Sequence, residues 1–162
     1  MLELTLKLEN CRDFNEVFQL VKRAVEESLG KHRAGLTLVL AELPNYVGAY
    51  HIMGSNLIVM NKILLDAVKT VTKSKAELNS FIFSILAHEY LHSIGYVDER
   101  DVRLLVRRVS IENFGESHDT VKMAMGDIFG LYPQLRALGP GRTGEDFTII
   151  KKFDESSMPY IG

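Results

Sequence analysis

Residues 74–98 read SKAELNSFIFSILAHEYLHSIGYVD, and their pattern decides the architecture around them. Ser74 followed three residues later by Glu77 is a capping box, the signature of a helix start. Leu78, Phe81, Ile82, Ile85 and Leu86 then recur at helical spacing. Gly95 is the first residue suited to ending the helix, because glycine adopts the left-handed conformation without steric cost. The segment therefore predicts one long helix with His88-Glu89-Tyr90-Leu91-His92 in its last turns.

Two histidines four apart on a helix share a face, one turn above the other. Their imidazoles can bind one zinc ion at roughly 2.0–2.1 Å. Glu89 projects about 100° away around the helix, beside such an ion and not on it. There it can act as general base toward water that the metal activates. The flanks strengthen this reading. Ile85, Leu86, Ala87, Tyr90, Leu91, Ser93 and Ile94 are all uncharged, so an imidazole pair among them needs a partner.

A catalytic zinc takes three protein ligands and keeps an open position. Asp98 is the first candidate for the third, since a turn at Gly95 can bring the chain back to the metal. Asp98 is equally placed to N-cap a helix beginning near Glu99. His118, in Glu116-Ser117-His118-Asp119, is the main competitor, also at a helix start, and Glu99 and Asp101 are weaker candidates. His51 and His32 stand alone. His51 lies in a predicted strand upstream of the metal helix, from which it could face a cleft.

Working outward, residues 2–8, LELTLKL, alternate apolar and polar and predict a strand. Asp13 and Glu16 form another capping box, ahead of a helix from Phe14 to Leu29 closed by Gly30. Residues 36–43 read as a buried strand stopped by Pro44. Segments 47–53 and 57–61 flank Gly54-Ser55-Asn56 as a hairpin. Helices are expected at about 62–71, 99–111 and roughly 118–130, and FTII at 147–150 as a late strand. Pro133, Gly139, Pro140, Gly141 and Gly144 interrupt the chain there, and residues 139–162 suggest a loose C-terminal tail. This order predicts an α/β fold in a single domain over 1–162, one mixed sheet backed by helices.

The bulk properties are ordinary for a globular chain of 162 residues, 46% hydrophobic and 25% charged. A net charge of -2 gives no global attraction to nucleic acid or to an anionic membrane. Arg100, Arg103, Arg107 and Arg108 fall at helical spacing and read as a solvated helix face. Cys11 is the single cysteine, so a multi-cysteine zinc site and an internal disulfide are both excluded. Neither a signal peptide nor a transmembrane run is visible, and a cytoplasmic setting is the expectation.

At its metal motif the chain resembles the zincin metallopeptidases, which carry HExxH on an active-site helix. The longer string His88-Glu89-Tyr90-Leu91-His92-Ser93-Ile94-Gly95-Tyr96-Val97-Asp98 is similar to the HExxHxxGxxH/D of the metzincin branch. That resemblance implies a zincin-like domain, zinc held by His88, His92 and Asp98, Glu89 as the catalytic base, and a peptide or protein substrate. It also implies an edge strand for the substrate, for which Val47–Met53 is the candidate. Most metzincins have histidine where this chain has Asp98. Ser156-Ser157-Met158-Pro159-Tyr160 is similar to the methionine turn of that branch. Leu91-His92-Ser93-Ile94-Gly95-Tyr96 also resembles a bacterial family of ribosomal RNA maturation endonucleases with H-x3-H-x5-H. That family has glycine at the place of Glu89 and histidine at that of Asp98. A metal-dependent endoribonuclease and a non-catalytic metal-binding protein are therefore the alternatives to a zinc metallopeptidase.

Overall fold

The computed structural model describes residues 1–154. It is a mixed α/β fold in which a four-stranded sheet is backed by helices, as the element order predicts. The strands are β1 (Thr37–Ala41), β2 (Ala49–His51), β3 (Leu57–Asn61) and β4 (Phe147–Ile150). Their order is β2-β3-β1-β4, with β1 and β3 parallel and both outer pairs antiparallel. β2 and β3 are the expected hairpin around Gly54, and β2 forms one edge of the sheet.

The N-terminal segment is a helix, α1 (Leu2–Glu9), and not the strand its alternation predicts. The reason is that LELTLKLE satisfies two periods at once. Leu4 and Leu8, one turn apart, are buried, while Leu2 and Leu6 remain exposed. Leucine, glutamate and lysine are strong helix formers, and Glu3 pairs with Lys7 at i,i+4. The buried Asn79 amide then holds the end of α1, donating to the carbonyls of Leu8 and Cys11.

α2 (Phe14–Leu29) is capped by Asp13 and closed by Gly30 at φ 67°, as its capping box predicts. α3 (Lys62–Val71) begins at Asn61, whose Oδ1 accepts from the amides of Ile63 and Leu64. The Asn61 Nδ2 donates to the carbonyls of Leu43, Pro44 and Val47, which pins the 43–47 loop beside the start of β2. A single buried side chain thus joins a helix start to one wall of the cleft described below.

α4 (Lys75–Ile94) is the central helix, and Ser74 caps it through the amide of Glu77. It is buried on several faces, by α2, α1, α5 (Glu99–Phe114), α6 (Asp119–Met123) and β2. Phe18 meets Tyr90 edge-on and Phe83 meets Phe114 in the same way. Its buried serines return their hydroxyls to backbone carbonyls, Ser80 to Ala76, Ser84 to Phe81 and Ser93 to Tyr90. The Tyr90 hydroxyl donates to the Arg33 carbonyl and accepts the Arg33 amide. The Arg33 guanidinium in turn donates to the carbonyls of Ser93 and Ser55, tying the hairpin turn to the end of α4.

The helix expected at roughly 118–130 is broken in two. α6 ends at Met123, Gly126 takes φ 78°, and Asp127 caps a short α7 (Ile128–Leu131). The apolar spacing across 118–130 does not reveal this break, which a glycine of positive φ makes possible. A 3-10 turn, Pro133–Leu138, follows. β4 then returns the chain to the sheet, and Phe153 stacks on Phe18 in the core. Lys22 and Asp154 form a buried ion pair at 2.7 Å. No helix among the described residues is long and apolar enough to cross a membrane.

Candidate metal centre

α4 stops at Gly95, which adopts φ 122°. The turn that follows brings the Tyr96 carbonyl back to the helix, where it accepts from His92 Nδ1 at 2.7 Å. Asp98 then N-caps α5, its Oδ1 accepting the amide of Asp101 at 2.9 Å. Because α5 begins with the next residue, the Glu99 side chain projects from its first turn toward the two histidines.

His88 Nε2 lies 3.0 Å from Glu99 Oε2, and His92 Nε2 lies 2.6 Å from Glu99 Oε1. The two imidazole nitrogens are 3.2 Å apart. The two imidazole nitrogens and the Glu99 carboxylate lie near the separation of about 3.3 Å that ligand atoms of a tetrahedral ion keep at bonds of roughly 2.0–2.1 Å. Among the described residues, His88, His92 and Glu99 are the group of histidine, cysteine and carboxylate side chains that could hold a metal. The third member expected from the resemblance, Asp98, is not in it, because its carboxylate serves the cap. The residue brought to that place is Glu99, its neighbour, a weaker candidate in the sequence.

The hydrogen bonds are compatible with that use. A backbone carbonyl only accepts, so His92 Nδ1 carries a hydrogen and Nε2 is the atom turned to Glu99. The contact to the carboxylate oxygen at 2.6 Å is one that a proton or a metal ion could bridge. The two Nε2 atoms are 3.2 Å apart, and one metal ion could engage both together with the Glu99 carboxylate. The Tyr96 carbonyl is then the outer partner that orients the His92 ring.

The electrostatics follow from burial. Desolvation lowers the His88 pKa, partly offset by the nearby Glu99 carboxylate. Burial acts to raise Glu99, but His88 and His92 outweigh it and hold the carboxyl below its usual range. The lowering of His88 favours the neutral imidazole that metal binding needs.

Glu89 is 5% exposed and lines a cleft of about 430 Å³ together with His88 and Glu99. Burial pushes its carboxyl up to about 8, the negative Glu99 adds to the rise, and a hydrogen bond from the His51 backbone opposes it. His51 therefore meets the site through its main chain. Its ring bonds instead to the Ser55 carbonyl, within the hairpin turn. His118 caps α6 through Nδ1 and stacks on Phe114, and His32 stands 3.8 Å from Glu26. Neither joins the donor group. The methionine-turn resemblance at Ser156–Tyr160 lies outside the described residues.

The opposite wall of the cleft is Tyr46, Val47, Gly48 and Ala49. The amide of Asn61 donates to the Gly48 carbonyl, and that of Ile52 to the Leu57 carbonyl. Even-numbered residues of β2 thus face β3, and the main chain of Ala49 and His51 faces outward. The edge beside Glu89 therefore presents backbone groups of Ala49 and His51, and the His51 backbone acts to lower the Glu89 carboxyl.

Comparison of the chain with protein-family models, curated proteins and solved structures finds no match.

Proposed function

We propose that the chain is a zinc-dependent hydrolase that cleaves peptide bonds. The observation that carries this reading is the meeting of His88 Nε2, His92 Nε2 and the Glu99 carboxylate, each imidazole on its own carboxylate oxygen, at contacts of 2.6–3.2 Å, with Glu89 in the same cleft. His88, His92 and Glu99 hold the metal. Zinc, when bound, supplies a Lewis acid and lowers the pKa of its water to about 7.

Glu89 takes the proton from the attacking water and delivers it to the leaving nitrogen. Its buried position suits that work. A carboxyl raised toward neutral pH can both accept and release a proton near the operating pH. The His51 backbone beside it opposes that rise. The Tyr96 carbonyl keeps His92 in the tautomer that presents Nε2 to the metal.

Peptide as the substrate is supported by the half-buried sheet edge at Ala49, which lines the cleft. An extended chain laid beside β2 can hydrogen-bond the outward Ala49 groups and so pass the metal ligands in one register.

Metal analysis of the purified protein tests the first part, with about one zinc per chain expected and His88→Ala abolishing it. Glu89→Gln should keep the zinc and lose cleavage in a mixed peptide library. Absence of zinc after incubation with the ion, or undiminished cleavage by Glu89→Gln, overturns the assignment.

A further inference from the structure

One cation in the cleft has no part in the reading above. Arg103 lies four residues after Glu99, on the same face of α5, and lines the cleft next to it. Its Nη2 stands 4.0 Å from Glu99 Oε2, the outer limit of an ion pair. Among the described residues no other carboxylate is within ion-pair distance of it. If both oxygens of Glu99 serve the histidines and their metal, the five N–H donors of the guanidinium are left for another acceptor.

The side chain is 45% exposed and has Gly126 as a neighbour on one side. Gly126 takes φ 78°, and a Cβ added to it would lie 3.4 Å from Arg103 Nε. Gly126 belongs to the break between α6 and α7, so the irregular segment that interrupts the expected helix is what backs the guanidinium. On this side the cleft is lined by Met123, Ala124, Ile128 and Phe129, while His88, Glu89 and Glu99 supply its polar part. A cation beside an apolar wall can orient a ligand with an anionic group. The contacts from Arg103 to Glu99 and from Glu99 to His88 put the guanidinium within about 7 Å of His88 Nε2. A carboxylate one residue from a scissile carbonyl, about 3.8 Å along the chain, can span that interval.

We propose that Arg103 binds a substrate carboxylate one residue from the bond that is cut. This rests on the peptidase reading for the reaction, but the binding it claims is independent of turnover. The carboxylate belongs either to the chain terminus or to an aspartate or glutamate side chain, and guanidinium–carboxylate pairing serves both.

The test compares wild type, Arg103→Gln and Arg107→Gln, the last removing the same charge farther along α5 and outside the cleft lining. The first arm measures binding of N-acetylphenylalanine and of its amide to chelator-treated protein by calorimetry, so that the acid cannot simply ligate zinc. The second arm measures kcat and KM of the zinc-loaded proteins on peptides ending in acid or amide, and on pairs with internal Asp or Asn. A preference for the acid of about 10-fold or more is expected in both wild type and Arg107→Gln. It should fall to near parity in Arg103→Gln, mainly through KM. The peptide pairs show whether the terminus or a side chain supplies the group. No acid preference in wild type, or its equal loss in Arg107→Gln, overturns the proposal. So does Arg103→Gln weakening zinc while keeping the preference, which would make Arg103 only a partner of Glu99. If no peptide is cleaved, the peptidase reading fails, while the binding arm still decides the role of Arg103.

Discussion

Replacing Glu89 by glutamine in chelator-stripped protein should stabilise the fold increasingly as the pH rises. The Glu89 carboxyl is pushed from its ordinary 4.5 up to about 8, first by burial and then by the charge of Glu99. The folded chain therefore holds this proton more tightly than the unfolded one. The associated stability is complete below pH 4.5 and is lost progressively as the pH rises through 8. Linkage puts the ionisation penalty at about 3 kcal/mol near pH 7, and its growth between about pH 5 and about pH 9 at about 4 kcal/mol. Glutamine carries no such penalty. It keeps a carbonyl for the His51 amide but introduces an NH2 group that needs its own partner, a cost that does not change with pH. The readout is therefore the slope against pH of the difference between variant and wild type, measured by urea denaturation. Near neutral pH each kcal/mol is about 2–4 °C in Tm for a chain of this size. Titrations elsewhere cancel in the difference. Restoring zinc should shrink it, since a nearby cation favours the carboxylate. A difference that stays flat across the range would refute the claim that Glu89 is desolvated in the cleft.

Four further outcomes are expected. Glu99→Ala should lower zinc affinity by more than about 100-fold, beyond the usual loss from an outer-shell change. Asp98→Ala should cost about 1 kcal/mol of stability as a lost N-cap and leave zinc affinity within a few-fold; a competition titration against a zinc chelator separates the two. Tyr90→Phe removes the hydroxyl shared by the Arg33 amide and carbonyl, and should cost about 1–3 kcal/mol in chemical denaturation. Burial, followed by the charges of Glu16 and Asp13, pushes the Cys11 thiol up to about 11. Its alkylation in the folded protein should thus be about 100-fold slower than that of an ordinary thiol and should accelerate on unfolding.

Much of the fold was legible because local signals and tertiary demand agreed. The capping boxes at Asp13–Glu16 and Ser74–Glu77 set two helix starts through contacts three residues apart. Gly30 and Gly95 ended those helices for a purely backbone reason. The hairpin and the mixed sheet followed from apolar runs and turn residues. Reading failed where one pattern fits two periods. LELTLKLE became a helix because its i,i+4 leucines could be buried against the core.

The candidate site divides along the same line. His88, Glu89 and His92 lie on one helix, so their mutual placement is fixed by 3.6 residues per turn and could be read from spacing alone. The third donor lies beyond a turn, and a turn is set by φ values and caps that spacing does not encode. Sequence left Asp98 free to be ligand or cap. In the fold it caps α5, and that cap swings Glu99 toward the histidines. Arg103 reads in the sequence as one of four arginines on a solvated face. The fold sets it beside Gly126 at the α6–α7 break, where it stays part-exposed and lines the cleft. Local periodicity thus determined which side chains share a helix face, while the directions in which the chain leaves those helices, and so which residues meet across the cleft, belong to long-range packing alone.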